Sequence, residues 1–338
     1  MASDIRAAGL IYGQMAHHLD HVGPFCALIE IPLIVTEEEI ASLARKYYPG
    51  LEVIYWDYIQ VPHNLVQQFD TIFSSMPRPL FEDVFFLPMK LARKEISTVW
   101  LPHGNSDKGH ASIFMEGLQH DHYALVYGKK MIDFLQEKKV FHQLKSCITI
   151  GNFRYTYYLK NKAFYDALAE QLLPFDEKVI LYAPTWKDKE NSTSFYEACS
   201  ILIDNLPEQY HLVIKLHPNL NDLETDRIFY RYENAPRVLF LKDWPPIYPL
   251  LNKAAIYIGD MSSIGYDFLT FNRPMFFLNQ NNRDLLHDRG LFLHQAGVSL
   301  TPEEYPQIYT IIEEEDKEHL SAIRQEIYSY TFGDTPFG

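Results

Sequence analysis

Several things are scarce in this chain of 338 residues, and each scarcity excludes something. No apolar run approaches the length needed to span a bilayer. Cysteine is limited to Cys26, Cys147 and Cys199, far apart and without a Cys-x-x-Cys pair. That argues against a disulfide scaffold and predicts buried free thiols in a reducing compartment. Positive charge is short: 30 Lys and Arg face 44 Asp and Glu, a net charge of −14. Such a surface disfavours general nucleic-acid binding and does not favour anionic lipid, so an anionic ligand needs a local positive site. The opening Met-Ala-Ser-Asp-Ile-Arg lacks the basic-then-apolar pattern of a secretory signal. No short-period repeat is visible. The expectation is a soluble cytoplasmic protein.

What is present is ample core material. The chain is 47% hydrophobic, enough for two domains of ordinary size. Short apolar runs alternate with helical periodicity from Ala7 to Leu278. Runs such as Pro32–Val35, Thr98–Leu101, Tyr123–Tyr127, Val179–Ala183 and Met275–Leu278 read as buried strands. Strands alternating with helices predict βαβ units and parallel sheets. A helix is expected over Gln14–Glu30, with a break or a kink near Gly23-Pro24, and an amphipathic helical tail over Pro302–Tyr330. Glu313-Glu-Glu-Asp316 reads as a solvated face, and the aromatic stretch Arg154–Phe164 as a hinge.

The stretch that organises the chain is Val238–Asn279, above all Ala254–Ile258 followed by Gly259-Asp-Met-Ser-Ser. It reads as strand, turn, helix, strand. Ser262 and Ser263 suit a helix N-terminus, and Arg273-Pro274 ends the helix. Free amides and two hydroxyls at the positive end of a helix suit a phosphate, although Ser-Ser also serves as plain capping. Two histidines follow strands directly: His103 in Trp100-Leu-Pro-His-Gly, and His217 in Lys215-Leu-His-Pro. Ligands bind at the carboxyl ends of strands in open α/β sheets, so both sit where chemistry would sit. Gly104 allows close backbone approach, and Lys108 can meet an anion. The other reading of this loop is polar and inert. His17 and His21 are one helical turn apart, which is metal-ligand spacing, with His18 and Asp20 between them. No third ligand completes a site, so no metal is expected, and these residues are placed beside a cleft instead.

Taken together, these segments resemble a family. Trp100-Leu-Pro-His-Gly, Ile150-Gly-Asn-Phe-Arg154, Lys178–Asp188 with its Ala-Pro-Thr-Trp-Lys-Asp, and Lys215-Leu-His-Pro218 resemble motifs of the CDP-glycerol glycerophosphotransferases of teichoic-acid synthesis. Gly259-Asp-Met-Ser-Ser-Ile-Gly-Tyr-Asp-Phe268, Asn272-Arg-Pro and Asp288-Arg-Gly290 complete the order. The departures are Leu101-Pro102 inserted before His103, Phe153 for Pro, Lys187 for Arg, Met261 for Tyr, and a closing Phe332-Gly-Asp-Thr without its Arg.

The resemblance implies a GT-B α/β fold: two Rossmann-like domains with parallel sheets facing an interdomain cleft. The boundaries expected are 1–155 for an acceptor domain and 165–318 for a nucleotide-donor domain. Residues 319–338 would form a helix that crosses back. It also implies transfer of glycerol phosphate, or a similar phospho-alcohol, from a CDP-activated donor to a hydroxyl, with release of CMP and no cofactor. His103 and His217 would be catalytic. Ser262, Ser263, Asp260, Lys187, Thr185, Arg273 and Arg289 would serve the donor, and Gly104, Lys108 and His17 the acceptor. The acceptor could be lipid-linked, with peripheral membrane contact and no transmembrane segment. Two rivals stand beside this: a GT-B glycosyltransferase or nucleotide-sugar 2-epimerase, and a non-catalytic nucleotide-binding protein.

Overall fold

A computed structural model describes residues 6–109, 115–175, 178–188, 190–242, 244–315 and 319–333. The chain groups into two units. One holds residues 1–105, 113–162 and 330–338, and the other 106–112 and 163–329.

The first unit is built on seven strands: β1 (Ala7–Ile11), β2 (Leu33–Val35), β3 (Val53–Tyr55), β4 (Thr71–Ser74), β5 (Ser97–Trp100), β6 (Tyr123–Val126) and β7 (Ser146–Thr149). They pair in parallel in the order β3-β2-β1-β4-β5-β6-β7. The second unit has six: β8 (Lys178–Ala183), β9 (Tyr210–Lys215), β10 (Val238–Leu241), β11 (Ala254–Gly259), β12 (Met275–Leu278) and β13 (Val298–Leu300). Their parallel order is β10-β9-β8-β11-β12-β13. Both are doubly wound sheets. The order reverses between β1 and β4 in one and between β8 and β11 in the other. At such a switch the crossover helices part to opposite faces and leave a crevice at the strands' carboxyl ends.

Burial explains why the strands read as continuous apolar runs. Every residue of β9 and β12 is buried, because helices cover both faces. Ile180, Leu212, Ile256 and Phe276 pack with Phe195, Cys199 and Leu202 of the helix Phe195–Asp204. In the first unit Leu10, Ile34 and Ile72 pack with Leu65, Phe81 and Phe85. Each such side chain, fully buried, contributes about 1.5–3 kcal/mol.

Several expectations are corrected. The helix Leu19–Leu28 runs unbroken through Gly23-Pro24 and starts after a 3-10 turn, Ala16–His18. Pro24 has no N–H for the carbonyl of Asp20, four residues back. Arg154 supplies the missing donor, its Nε lying 2.8 Å from the Asp20 carbonyl oxygen. The same guanidinium pairs with the Asp20 carboxylate. The expected hinge, Arg154–Phe164, is helical over Phe153–Lys160 and again from Lys162, with Arg154, Tyr157 and Tyr158 buried, and the change from the first unit to the second falls inside it, after Lys162. The tail is not one helix but a 3-10 segment Pro302–Gln307, a helix Ile308–Glu314 and a helix Ser321–Phe332. Its last turn, from Tyr330, groups with the first unit, where the Tyr330 hydroxyl donates to Asp133 (2.8 Å). Gly128 is required there, since a Cβ would lie 2.5 Å from the Thr331 carbonyl oxygen. Cys26 and Cys199 are buried free thiols, but Cys147 is only half-buried. Asp316, Asp334 and Thr335 lie outside the described residues. Among the described residues no helix is long and apolar enough to cross a membrane.

Candidate functional site

In the first unit, β1 delivers the chain to Gly13, whose φ of +81° turns it toward Ala16–His18. The Gly13 amide donates to Thr36 Oγ1 (2.8 Å), tying this turn to the end of β2. After β5, Leu101 N donates to the Ser74 carbonyl (2.9 Å), and Gly104, at φ +124°, shapes the loop that carries His103. The result is a histidine cluster. Ring centroids are 4.3 Å apart for His17–His18, 4.5 Å for His18–His103 and 6.1 Å for His17–His103.

Three imidazoles this close disfavour one another's protonation. Crowding by the protein pushes His103 down to about 4, with His17 adding to the shift, although the His103 ring reaches solvent. His17 is lowered by burial, and His18 further, by burial and then by His103 and His17. All three shifts favour the neutral imidazole, the form that can accept a proton.

His18 lies nearer His103 than His17 does, so it belongs to the cluster as fully. His21 does not. It is buried, its Nδ1 is 2.8 Å from the Tyr127 hydroxyl, and Asp20 is taken by Arg154 and Tyr48. Among the described residues no group of three or more His, Cys, Asp or Glu is placed to hold a metal ion. One residue carried no sequence signal: Ser75, just past β4, is buried and its hydroxyl has no hydrogen-bond partner.

In the second unit, Asp260 organises the switch point. It follows β11 directly and is 1% exposed. Its Oδ1 accepts from Thr185 N (2.8 Å) in the loop after β8, and its Oδ2 from Ser194 N and Ser194 Oγ (2.8 and 2.9 Å). Burial pushes its pKa up to about 6, against the pull of the Ser194 and Thr185 amides and of Lys108. Asp260 and Thr185 therefore shape the loops. Lys108 groups with this unit: its Nζ donates to Thr185 Oγ1 (2.5 Å) and pairs with Asp188 (2.6 Å). Asp107 anchors the same segment, accepting from the Tyr266 hydroxyl and from Leu293 N (3.0 Å).

The Ser262-Ser263 turn lies between Asp260 and a helix, Ile264–Phe268, of only five residues. Ser263 stands at the N-cap, but its side chain makes no capping bond, so the hydroxyl is not committed to the helix. The ring of Tyr257 lies close beneath the turn. A Cβ on Gly259 would fall 2.3 Å from its hydroxyl, and one on Gly265 would fall 2.7 Å from Leu293 Cδ2. Close approach, not unusual φ, requires glycine at both.

His217 follows β9. Its Nδ1 accepts from Asn219 N (3.1 Å), and its ring centroid is 6.2 Å from that of the exposed Trp186. Lys187 is exposed, with its Nζ 5.7 Å from the Tyr196 ring centroid. Arg289 is exposed next to Asp288, which caps its 3-10 segment. Arg273 is not brought to these loops. Its guanidinium donates to the carbonyls of Asn252 and Ala254 (2.8 and 2.7 Å), at the amino end of β11. A cation that sequence reading missed, Arg283, pairs with Asp288 and donates to Met261 Sδ (2.7 Å), one residue before Ser262.

Two doubly wound parallel sheets, each with polar loops at its switch point, define a GT-B-type α/β protein. The chain belongs to the CDP-glycerol:poly(glycerophosphate) glycerophosphotransferase family, whose profile matches residues 96–304. A teichoic acid glycerol-phosphate primase of Bacillus spizizenii is 28% identical over 145 residues, 42% of this chain and 36% of that protein. The match thus spans about a third of the relative's length. The wall teichoic acid polymerase TagF has a similar fold, with a TM-score of 0.66 at 14% identity over 98% of this chain and 85% of that one. So does a UDP-GlcNAc 2-epimerase from Neisseria meningitidis, with a TM-score of 0.59 at 13% identity over 98% of this chain and 97% of that one.

Proposed function

We propose that this protein transfers a glycerol-phosphate unit, or a similar phospho-alcohol, from a CDP-activated donor to an acceptor hydroxyl and releases CMP. The observation that carries the reading is the Ser262-Ser263 turn at the β8/β11 switch point, with Ser263 uncommitted to capping, in a chain of this family. In this reading the second unit takes the donor and the first the acceptor. The acceptor oxygen attacks the phosphorus that bears the glycerol. The bond from that phosphorus to the bridging oxygen breaks, and CMP leaves with the electron pair. Such in-line displacement needs placement and charge compensation more than covalent catalysis.

His103 takes the acceptor's proton. Its depressed pKa keeps it neutral at pH 7, and bound anionic donor would raise its basicity. The two serines and His217 hold the diphosphate, with Lys187, Lys108 and Arg289 as counter-charges. Gly104 and His17 border the acceptor. Nucleotide-activated donors place the protein in the cytoplasm, with peripheral contact at the inner face of the membrane where the acceptor is lipid-linked.

A thermal-shift panel of CDP, CMP, UDP, UMP and ADP tests the reading. A ligand that binds only the native state raises the midpoint. Cytidine nucleotides are expected to do so. A shift by UDP and UMP alone would favour the epimerase-like alternative.

A further inference from the structure

A tyrosine in the middle of a buried parallel strand needs a partner for its hydroxyl. Tyr257 of β11 is such a residue, fully buried. Its ring is stacked on Phe268, with centroids 5.4 Å apart, and meets Phe277 edge-on at 6.1 Å. Tyr257 and Gly259 lie two residues apart on one face of the strand, and the ring runs toward the strand's carboxyl end. Glycine at 259 leaves room for it, and Gly265, in the helix after the turn, lies against the same ring edge. The hydroxyl is thereby delivered inside the turn of residues 260–264, shut off from solvent.

There it has no hydrogen-bond partner among the described residues. A buried hydroxyl left so is a cost to the resting fold. The polar groups around it are few. The Asp260 oxygens accept from Thr185 and Ser194, and Asp267 accepts from the Tyr248 hydroxyl (3.1 Å). The Gly265 amide can only donate, and it is directed to the Ser262 carbonyl (3.3 Å). The Ser262 hydroxyl lies beside the phenol and can accept its proton. Burial, with Asp260 adding to it, holds Tyr257 well above the ordinary phenol range, so the phenol keeps its proton and stays a donor.

We infer that Tyr257 is a positioning residue for the Ser262-Ser263 turn: when a phosphate group is bound there, the Tyr257 hydroxyl donates to Ser262 Oγ and leaves the serine's own proton for a phosphate oxygen. A serine oxygen that accepts one hydrogen bond is a stronger donor in the next, because bonds in a chain polarise one another. The inference rests on the reading of this turn as the seat of the donor's diphosphate.

Isothermal titration with CDP-glycerol on Tyr257→Phe, Ser262→Ala and the double variant tests it. Tyr257→Phe keeps the ring against Phe268 and Phe277 and removes only the hydroxyl. Its ligand-free melting midpoint should equal or exceed that of the wild type, because no hydrogen bond of the resting fold is lost. Its Kd for the donor should rise roughly three- to tenfold, the worth of one hydrogen bond. Ser262→Ala should raise Kd as well, and adding Tyr257→Phe to it should change Kd no further, because the phenol acts through that serine. A lower ligand-free midpoint in Tyr257→Phe would make the hydroxyl a structural group and overturn the inference. So would a Kd that Ser262→Ala raises and Tyr257→Phe leaves alone, or losses that simply add in the double variant. Donor binding untouched by Ser262→Ala would overturn the inference together with the reading of the turn on which it rests.

Discussion

At the scale of the residue, the account separates binding from proton transfer. Ser262→Ala with Ser263→Ala should remove hydrogen bonds to the donor's diphosphate, each worth about 1.5–3 kcal/mol when the acceptor is charged. Isothermal titration with CDP-glycerol should show the loss, which falls mainly on donor KM. His103→Ala should keep donor affinity and lose about 10²–10⁴-fold in kcat. The pH profile adds a sign. Because His17, His18 and His103 are all held below the ordinary imidazole range, the acid limb of kcat/KM should lie well below 6.5. A limb at or above 6.5 would mean that the cluster does not supply the base. Sequence reading reached both histidines and both serines because each follows an apolar strand. It did not reach the partner that fixes Lys108, since Thr185 lies 77 residues away. It missed Arg283, which touches Met261 only across a gap of 22 residues.

At the scale of the element, the helix Leu19–Leu28 shows how a side chain completes a backbone. Arg154 both replaces the amide that Pro24 lacks and neutralises Asp20, and it is 5% exposed. Arg154→Ala should cost about 3–5 kcal/mol in urea unfolding, as for the loss of one partner from a buried ion pair. Pro24→Ala in that background should recover part of it by restoring an amide for the Asp20 carbonyl; no recovery would mean that the carbonyl bond is incidental. A break at Pro24 was a sound local inference, and a contact 134 residues away in sequence satisfies the carbonyl that Pro24 leaves without a donor. β13 was invisible for another reason: Val-Ser-Leu is too short to show a period. The helix after the Ser-Ser turn is shorter than its apolar spacing suggested, because 3-10 geometry takes over at Leu269.

At the scale of the whole molecule, acid and neutral pH pull stability in opposite directions. Burial raises Asp121 to about 6 from 3.8, so its contribution is complete below 3.8 and is lost as pH rises through about 6. The depressed histidines lose theirs as pH falls below 6.5, where the unfolded chain takes up protons that the native state refuses. Asp121→Asn should therefore raise the melting midpoint at pH 7 relative to that at pH 4, by scanning calorimetry. An unchanged difference between the two would remove Asp121 from the balance.

The central claim concerns the reaction. It is tested most directly by mixing the purified protein with CDP-glycerol and a glycerol-phosphate acceptor and following CMP by chromatography. The account predicts CMP in step with acceptor elongation, nearly abolished in His103→Ala and restored by excess donor in the double serine variant. CMP release unchanged in both variants, or donor bound and never turned over with any acceptor, would contradict it.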